Sequence, residues 1–481
     1  MAAVFPSRYF HAGLDEVDLG RCPRCARRGK GKPKWWIYAE HAKAVYRILR
    51  AAGKEMILWA DHVERDPAML KVLPKDIIMA HWHYREIRPE AIDRSLAAGF
   101  RVIGCPALCH HGDMIMPNAA NFANMDAMTG RIASASGGQT AWAGHDYTVG
   151  LSNPSLPGGA IDSSPSSAAN SPRRKAGVGA RTDAGVVAQV LGIVNTWWTL
   201  WRGLRDAYLP AVAYTGAMLS AQAAVEKPAF ARRLAARFFG LRSAAAERAI
   251  WTLHEEMIDR NQTAAGLCSS LAHLPDTLAL GAAWGSNPAL PGGAINALSS
   301  GGANSPRRKA GVDVSTVQET GRGARHDALA SAVEDLVAAR AKVARNLPAF
   351  DALILSGRIA CLCLRRAKAL HAAFEHYRRA ARGHDCEHRP DDVTAWLGKA
   401  LAAVDQARAE TGPLARAAAK EWDRTRYRDD AKKGLRDGNP YLWDSLVAML
   451  DRAARFDERL VVDLKKAIKN YPKTRRFPGG V

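Results

Sequence analysis

The stretch Tyr9-Phe10-His11-Ala12-Gly13-Leu14-Asp15-Glu16-Val17 decides how the rest of the chain is read. A short β-prone run, Val4-Phe5 and Tyr9-Phe10, leads into a small turn that presents two adjacent carboxylates. Two like charges that close raise the pKa of at least one of them. Neighbours along a strand point to opposite faces, whereas at the C-terminal lip of a barrel strand both can lean over one site. A bare Asp-Glu pair is also what an ordinary solvated turn contains, so the surrounding sequence has to discriminate.

Working outward, residues 1–132 alternate between strand-like and helix-like patterns, the arrangement of βα units and a parallel sheet. The first strand lies around Val4–Phe10. An amphipathic helix is predicted from Trp35 to Ala52, with Ile37, Ala44, Val45, Ile48 and Leu49 near helical spacing, and Gly53 stops it. Met56–Asp61 reads as a buried strand ending in Trp59 and Asp61. A short helix follows at Pro67–Leu73. Ile77–Tyr84 is the next strand, with Trp82 near its end, and helix Pro89–Ala98 and strand Arg101–Cys105 repeat the unit. In a barrel such strand ends converge on one mouth, where an aromatic ring can cover an apolar ligand face and an acid can accept from a hydroxyl. A single strand-end Trp is usually core packing; two in successive units beside an acid pair speak for a site.

His-x-Gly-x-Asp-Glu after a strand resembles the signature of the family 20 glycoside hydrolases, the β-N-acetylhexosaminidases. The resemblance implies a (β/α)8 barrel in which this motif ends the fourth strand. It makes Glu16 the general acid/base and Asp15 the partner of the substrate's own 2-acetamido group, which acts as nucleophile. Glu16 then requires burial and a close Asp15, both of which raise a carboxyl's pKa. His11 becomes a hydroxyl contact. Trp59 and Asp61 match the family's W-x-[DE] after strand five, and Trp82 matches its Trp after strand six. Val190–Trp201 is similar to the eighth strand, with Trp198 as the Trp of the sugar pocket and Trp197 close behind it. Where the family has an acid after that Trp, this chain has Leu200, and Asp113 stands near the acid of the Tyr-x-Asp after strand seven. No metal or organic cofactor is implied. The partners implied are glycans or oligosaccharides containing N-acetylhexosamine.

Counted this way, Met1 falls a few residues before strand four, so the expected fold is α/β: a partial TIM barrel, about strands 4–8, followed by an α-helical C-terminal domain. A partial barrel has two open edges, and a homodimer is one way to complete it. The alternative to an active hydrolase is a catalytically inactive remnant that acts as a binding protein.

The composition narrows other classes. The chain has 481 residues, 48% of them hydrophobic, enough for two or three domains. No run of about 18 apolar residues is read, so no membrane span is expected. No signal peptide is visible, and the compartment stays open. The net charge of +21 invites a polyanion, but Lys and Arg are interleaved with Asp and Glu, which favours solvated faces over nucleic-acid binding. Cys22-Pro23-Arg24-Cys25 is a lone C-x-x-C. A zinc site would need a second pair, and neither Cys105, Cys109, His110 and His111 nor Cys361-Leu362-Cys363 has matching spacing.

A 27-residue element occurs twice, from Ser152 to Val178 and from Ser286 to Val312, and its copies agree at 20 of 27 positions. Its Ser, Pro, Gly and Asn content cannot bury a core, so both copies read as disordered inserts. The domain plan is therefore a barrel segment at 1–132, an insert at 133–182, and the last strand and helix at 183–222. A helical accessory domain at 223–481 follows, with a second insert at 285–324. Its helices are expected at Ala229–Phe239, Ala244–Asn261, Ala328–Asn346, Arg358–Ala381, Asp391–Glu410, Pro413–Tyr427 and Leu442–Lys469.

Overall fold

The computed structural model describes residues 4–18, 22–109, 115–135, 189–198, 202–221, 225–258, 263, 267, 314–385, 390–425 and 445–477. They divide into two compact units. The first is Met1–His81, Pro89–Ile103 and Ile132–Gly192. The second is Trp82–Arg88, Gly104–Arg131 and Ile193–Val481.

The strand-forming runs become β1 (Tyr9–His11), β2 (Glu55–Trp59), β3 (Ile78–Trp82), β4 (Arg101–Cys105) and β6 (Val190–Ile193), in one open sheet of order β1-β2-β3-β4-β6. β1 and β2 run parallel with Tyr9 opposite Glu55, and β2 and β3 run parallel with Trp59 opposite Ala80. Sequential order and parallel direction are those of consecutive βα units, and no closed barrel is present among the described residues. The reason for the strands is burial: Met56, Leu58, Ile78, Met79 and Val102 are all inaccessible to solvent. β3 and β4 are buried at four of five positions, as a parallel strand covered on both faces requires, whereas β2 alternates between buried and partly buried residues. Val4 and Phe5, expected to open the first strand, are exposed and outside it, because β1 begins only at Tyr9.

In the first unit, α1 (Pro23–Arg28) precedes α2 (Trp36–Ala51), which buries Tyr38, Ala39, Ala42 and Leu49. Ile48, assigned to the apolar face by spacing, is 69% exposed, so the buried stripe is rotated from the expected one. Gly53 takes φ 71° just past the helix, a conformation that glycine adopts without a Cβ clash. After β2, α3 (Asp61–Arg65) begins directly at Asp61, and a 3-10 turn at Pro67–Lys71 follows. α4 (Pro89–Ala97) completes the unit's helices up to β4. A buried polar chain links three of these elements. Nδ1 of His81 on β3 lies 2.6 Å from Glu64 Oε1 on α3, and its Nε2 lies 3.1 Å from Ser95 Oγ on α4. At the other end of the sheet, Arg101 on β4 donates to Glu55 at 2.7 Å and to the Asp76 carbonyl at 3.1 Å.

The second unit holds a small parallel pair, β5 (Ala107–Cys109) and β7 (Thr196–Trp197), and is otherwise helical. Its helices are α5 (Ala119–Ala135), α6 (Leu209–Ala221), α7 (Lys227–Phe238), α8 (Ala244–Glu255), α9 (Val314–Ala339), α10 (Leu347–Asp385), α11 (Pro390–Thr425) and α12 (Leu446–Thr474). Glu226, Ser243 and Ser445 cap α7, α8 and α12 through their side chains. Phe122 packs edge-on against Tyr214 and Trp251, with ring centroids at 5.0 and 4.9 Å. Arg366 of α10 and Asp457 of α12 form a fully buried bidentate pair at 2.6 and 3.0 Å.

Three expectations are corrected. Gly412-Pro413, expected to end one helix and start another, lies inside α11, which runs through Pro413. The lost N–H is tolerated because Val393, Leu397 and Val404 before it and Ala418 and Trp422 after it are all buried, so packing holds both halves in line. α9 begins at Val314, two residues after the repeat ends at Val312 and inside the stretch 285–324 read as an insert. Finally, α10 does contain a window long and apolar enough to cross a membrane by length and composition alone. Two thirds of that window (67%) is buried inside the protein, the behaviour of a core helix.

Candidate active site

The acid pair sits on a loop of the first unit that is shaped by its backbone. β1 ends at His11, and Ala12 N–H still donates to the Ile57 carbonyl at 2.9 Å, so the chain enters the loop in register with β2. It then turns through three left-handed residues, Gly13 (φ 73°), Leu14 (φ 67°) and Glu16 (φ 52°). Glycine accepts that conformation freely, whereas a leucine and a glutamate do so only when their surroundings hold them there.

Those surroundings come from α2, β2 and α3. Gly13 N–H donates to its neighbour His11 at Nδ1 (3.0 Å), and Gly13 carbonyl accepts from Trp59 N–H at 3.2 Å. The Leu14 carbonyl accepts from the Tyr38 hydroxyl at 2.8 Å. Glu16 N–H donates to Asp61 Oδ2 at 3.2 Å, and Val17 N–H donates to His62 Nε2 at 3.0 Å. The turn is therefore tied at four points to the end of β2, the start of α3 and a side chain of α2. The rings complete the frame: His11 lies over Trp59 with centroids 4.3 Å apart, and Tyr38 stacks on His62, also at 4.3 Å.

The electrostatics follow from this packing. His62 is buried, and burial lowers its pKa, with Asp61 opposing the shift. Since Nε2 accepts the Val17 N–H, the neutral imidazole is the form that fits. Burial also raises the Tyr38 hydroxyl pKa, with Asp61 and Asp15 adding to it, so Tyr38 stays a neutral donor. Asp61 has a side chain only 9% exposed, and its Oδ1 is buried with no hydrogen-bond partner. Asp15 and Glu16 are themselves exposed. The burial expected of Glu16 is thus not met: the loop turns both carboxylates outward while its backbone is held from within.

The structure brings His11, Asp15, Glu16, Trp59 and Asp61 into one neighbourhood of the first unit. It adds Tyr38 and His62, which the sequence reading passed over. His62 had a signal, since it follows Asp61 directly; Tyr38 had none, being one aromatic of a helix. Asp61 serves the Glu16 backbone, a contact not foreseen for it.

Trp82 and Trp198 belong to the second unit. There Trp198 Nε1 donates to the Tyr84 hydroxyl at 2.6 Å, and the Trp82 and Tyr84 rings lie 5.0 Å apart. Tyr84 is the member that sequence reasoning missed, although it stands two residues past Trp82. Buried Asn124 holds the segment after β3 by donating to the carbonyls of His83 and Arg85 and accepting from Ala107 N–H. Trp197 faces the helical core instead and packs on Tyr208 at 4.8 Å. Asp113, His110 and His111 lie outside the described residues.

The first strand of the parallel sheet thus ends in an Asp-Glu loop with Trp59 alongside. The family profile described as glycosyl hydrolase family 20, catalytic domain, matches residues 1–152. The match covers residues 1–152 of the 481 and supports a family 20 catalytic-domain segment over that stretch. No curated protein matches the chain.

Proposed function

We propose that the chain is a β-N-acetylhexosaminidase acting by substrate-assisted, retaining hydrolysis. The observation that carries this reading is the Asp15-Glu16 loop, held in a left-handed conformation at Leu14 and Glu16 by Tyr38, Asp61 and His62. Such backbone conformations persist where surrounding structure over-determines them, and they concentrate at functional sites. In the proposed reaction Glu16 protonates the leaving glycosidic oxygen while the substrate's acetamido carbonyl oxygen attacks C1. Asp15 stabilises the positive charge that develops on the acetamido nitrogen. Glu16, now a carboxylate, takes a proton from water as that water opens the cyclic intermediate. Trp59 offers an apolar face to the sugar ring, and His11, packed on Trp59, offers a hydroxyl contact.

The acetamido group is the discriminating feature. The parent protein is expected to release nitrophenol from 4-nitrophenyl N-acetyl-β-glucosaminide and not from 4-nitrophenyl β-glucoside, which lacks the internal nucleophile. Equal turnover of the two would overturn the substrate-assisted step.

The exposure of Glu16 favours one second reading, an inactive glycan-binding remnant. It requires that a folded parent bind N-acetylhexosamine oligosaccharides without turning them over.

A further inference from the structure

Cys22 and Cys25 differ in exposure from every other thiol described. The cysteines Cys105, Cys109, Cys361 and Cys363 are buried, whereas Cys22 and Cys25 are partly exposed, and all six are free thiols. Their geometry is that of a pair. The Cys22 sulfur accepts the Cys25 backbone N–H at 3.4 Å. Pro23 sets the turn between them at the start of α1, and Arg24, Arg27 and Arg28 crowd the same six residues. That N–H and the adjacent charge of Arg24 favour the Cys22 thiolate, and its pKa is lowered accordingly, chiefly by the Cys25 backbone N–H. The Cys25 pKa is raised, first by donating its proton to Cys22. The two sulfurs are thereby given unlike roles. Among the described residues no third His, Cys, Asp or Glu ligand atom joins them.

We propose that Cys22 and Cys25 form a reactive dithiol that undergoes thiol–disulfide exchange with low-molecular-weight disulfides, Cys22 attacking and Cys25 resolving. In the first step the Cys22 thiolate attacks one sulfur of the disulfide, a Cys22 mixed disulfide forms, and one thiolate leaves and takes up a proton. In the second, Cys25 loses its proton to solvent and attacks the Cys22 sulfur. The Cys22–Cys25 bond forms and the second small thiolate leaves and is protonated. The protein dithiol is oxidised by two electrons and the small disulfide is reduced to two thiols.

The full-length protein is incubated with glutathione disulfide at pH 7, acid-quenched and digested with trypsin. Cleavage after Arg21, Arg24 and Arg27 places the two cysteines on separate peptides, so a bond between them links Cys22-Pro23-Arg24 to Cys25-Ala26-Arg27. That linked pair is the expected product. Cys25→Ser is expected to accumulate the glutathione adduct at Cys22, and Cys22→Ser to form an adduct at Cys25 at least ~10-fold more slowly. Buried Cys105 and Cys361, whose pKa values burial pushes up to about 12 and about 11, serve as slow internal references. The proposal is overturned if the parent keeps both thiols free, if it stops at a mixed disulfide, or if the two single variants react at the same rate.

Discussion

The backbone N–H of Glu16 donates to Asp61 Oδ2 at 3.2 Å, joining the acid loop to the first residue of α3 across 45 positions of sequence. With the parallel bond from Val17 to His62 it makes the N-terminus of α3 the rest against which the Asp-Glu turn is built. Asp61 is in this respect a positioning residue, and the proposed hydrolase should be sensitive to it.

Replacing Asp61 by Ala removes the acceptor and frees the Glu16 backbone. A hydrogen bond to a charged group contributes about 1.5–3 kcal/mol. Hexosaminide turnover is therefore expected to fall by roughly 10-fold or more. Asp61→Asn keeps a carbonyl acceptor and should recover much of that loss. If the two variants are equally impaired in steady-state kinetics, the negative charge matters and the bond does not.

Gly13→Ala tests the backbone conformation without a steric clash. The nearest atom to an added Cβ is Asp15 Oδ1 at 3.9 Å, so the cost arises from the φ of 73° alone. A left-handed non-glycine residue costs about 1–2 kcal/mol. Urea titration should show a loss of that size, and an unchanged midpoint would mean the loop relaxes to another conformation.

Acid should weaken the second unit through His254. This buried imidazole donates from Nδ1 to the Pro117 carbonyl at 2.9 Å, and burial pushes its pKa down to about 4 from 6.5. The folded value lies below the unfolded one, so the unfolded chain binds the proton first. The contribution is fully present above pH 6.5 and is lost as the pH falls towards 4, by about 3 kcal/mol in all. His254→Gln should flatten the dependence of the urea midpoint on pH across that window. Identical slopes in parent and variant would assign the acid sensitivity elsewhere.

The Arg366–Asp457 pair has no exposure to solvent. Asp457→Asn leaves the guanidinium buried without its counter-charge, which typically costs about 3–5 kcal/mol. Calorimetry should show a large drop in the melting temperature. Replacing both residues, Arg366→Met with Asp457→Leu, is expected to restore much of it, since the desolvation cost disappears with the charges.

Much of the sheet was legible because buried parallel strands announce themselves as short apolar runs. Met56-Ile57-Leu58-Trp59 and Ile77-Ile78-Met79-Ala80 left little else to read, and β2 and β3 fall where those runs stand. The acid pair and Trp59 were legible as residue types at a strand end. What holds them was not. Nothing in local propensity places Leu14 or Glu16 in the left-handed region, and the partners that enforce it lie 24 residues away at Tyr38 and 45 away at Asp61 and His62. The exposure of Glu16 was hidden for the same reason, since it is set by the direction of that turn. Pro413 misled in the opposite sense: a strong local signal was overridden by buried side chains on both sides of it.

As the acid/base of a hexosaminidase, Glu16 must carry the turnover of an N-acetyl-β-hexosaminide. Nitrophenol release from 4-nitrophenyl N-acetyl-β-glucosaminide is followed with the parent protein, Glu16→Gln and Asp15→Asn. General acid–base catalysis contributes about 10²–10⁴-fold, and a loss of that order is expected for Glu16→Gln in a protein that remains folded, with Asp15→Asn also impaired. Turnover by Glu16→Gln equal to that of the parent, or no turnover by a folded parent, would contradict the account.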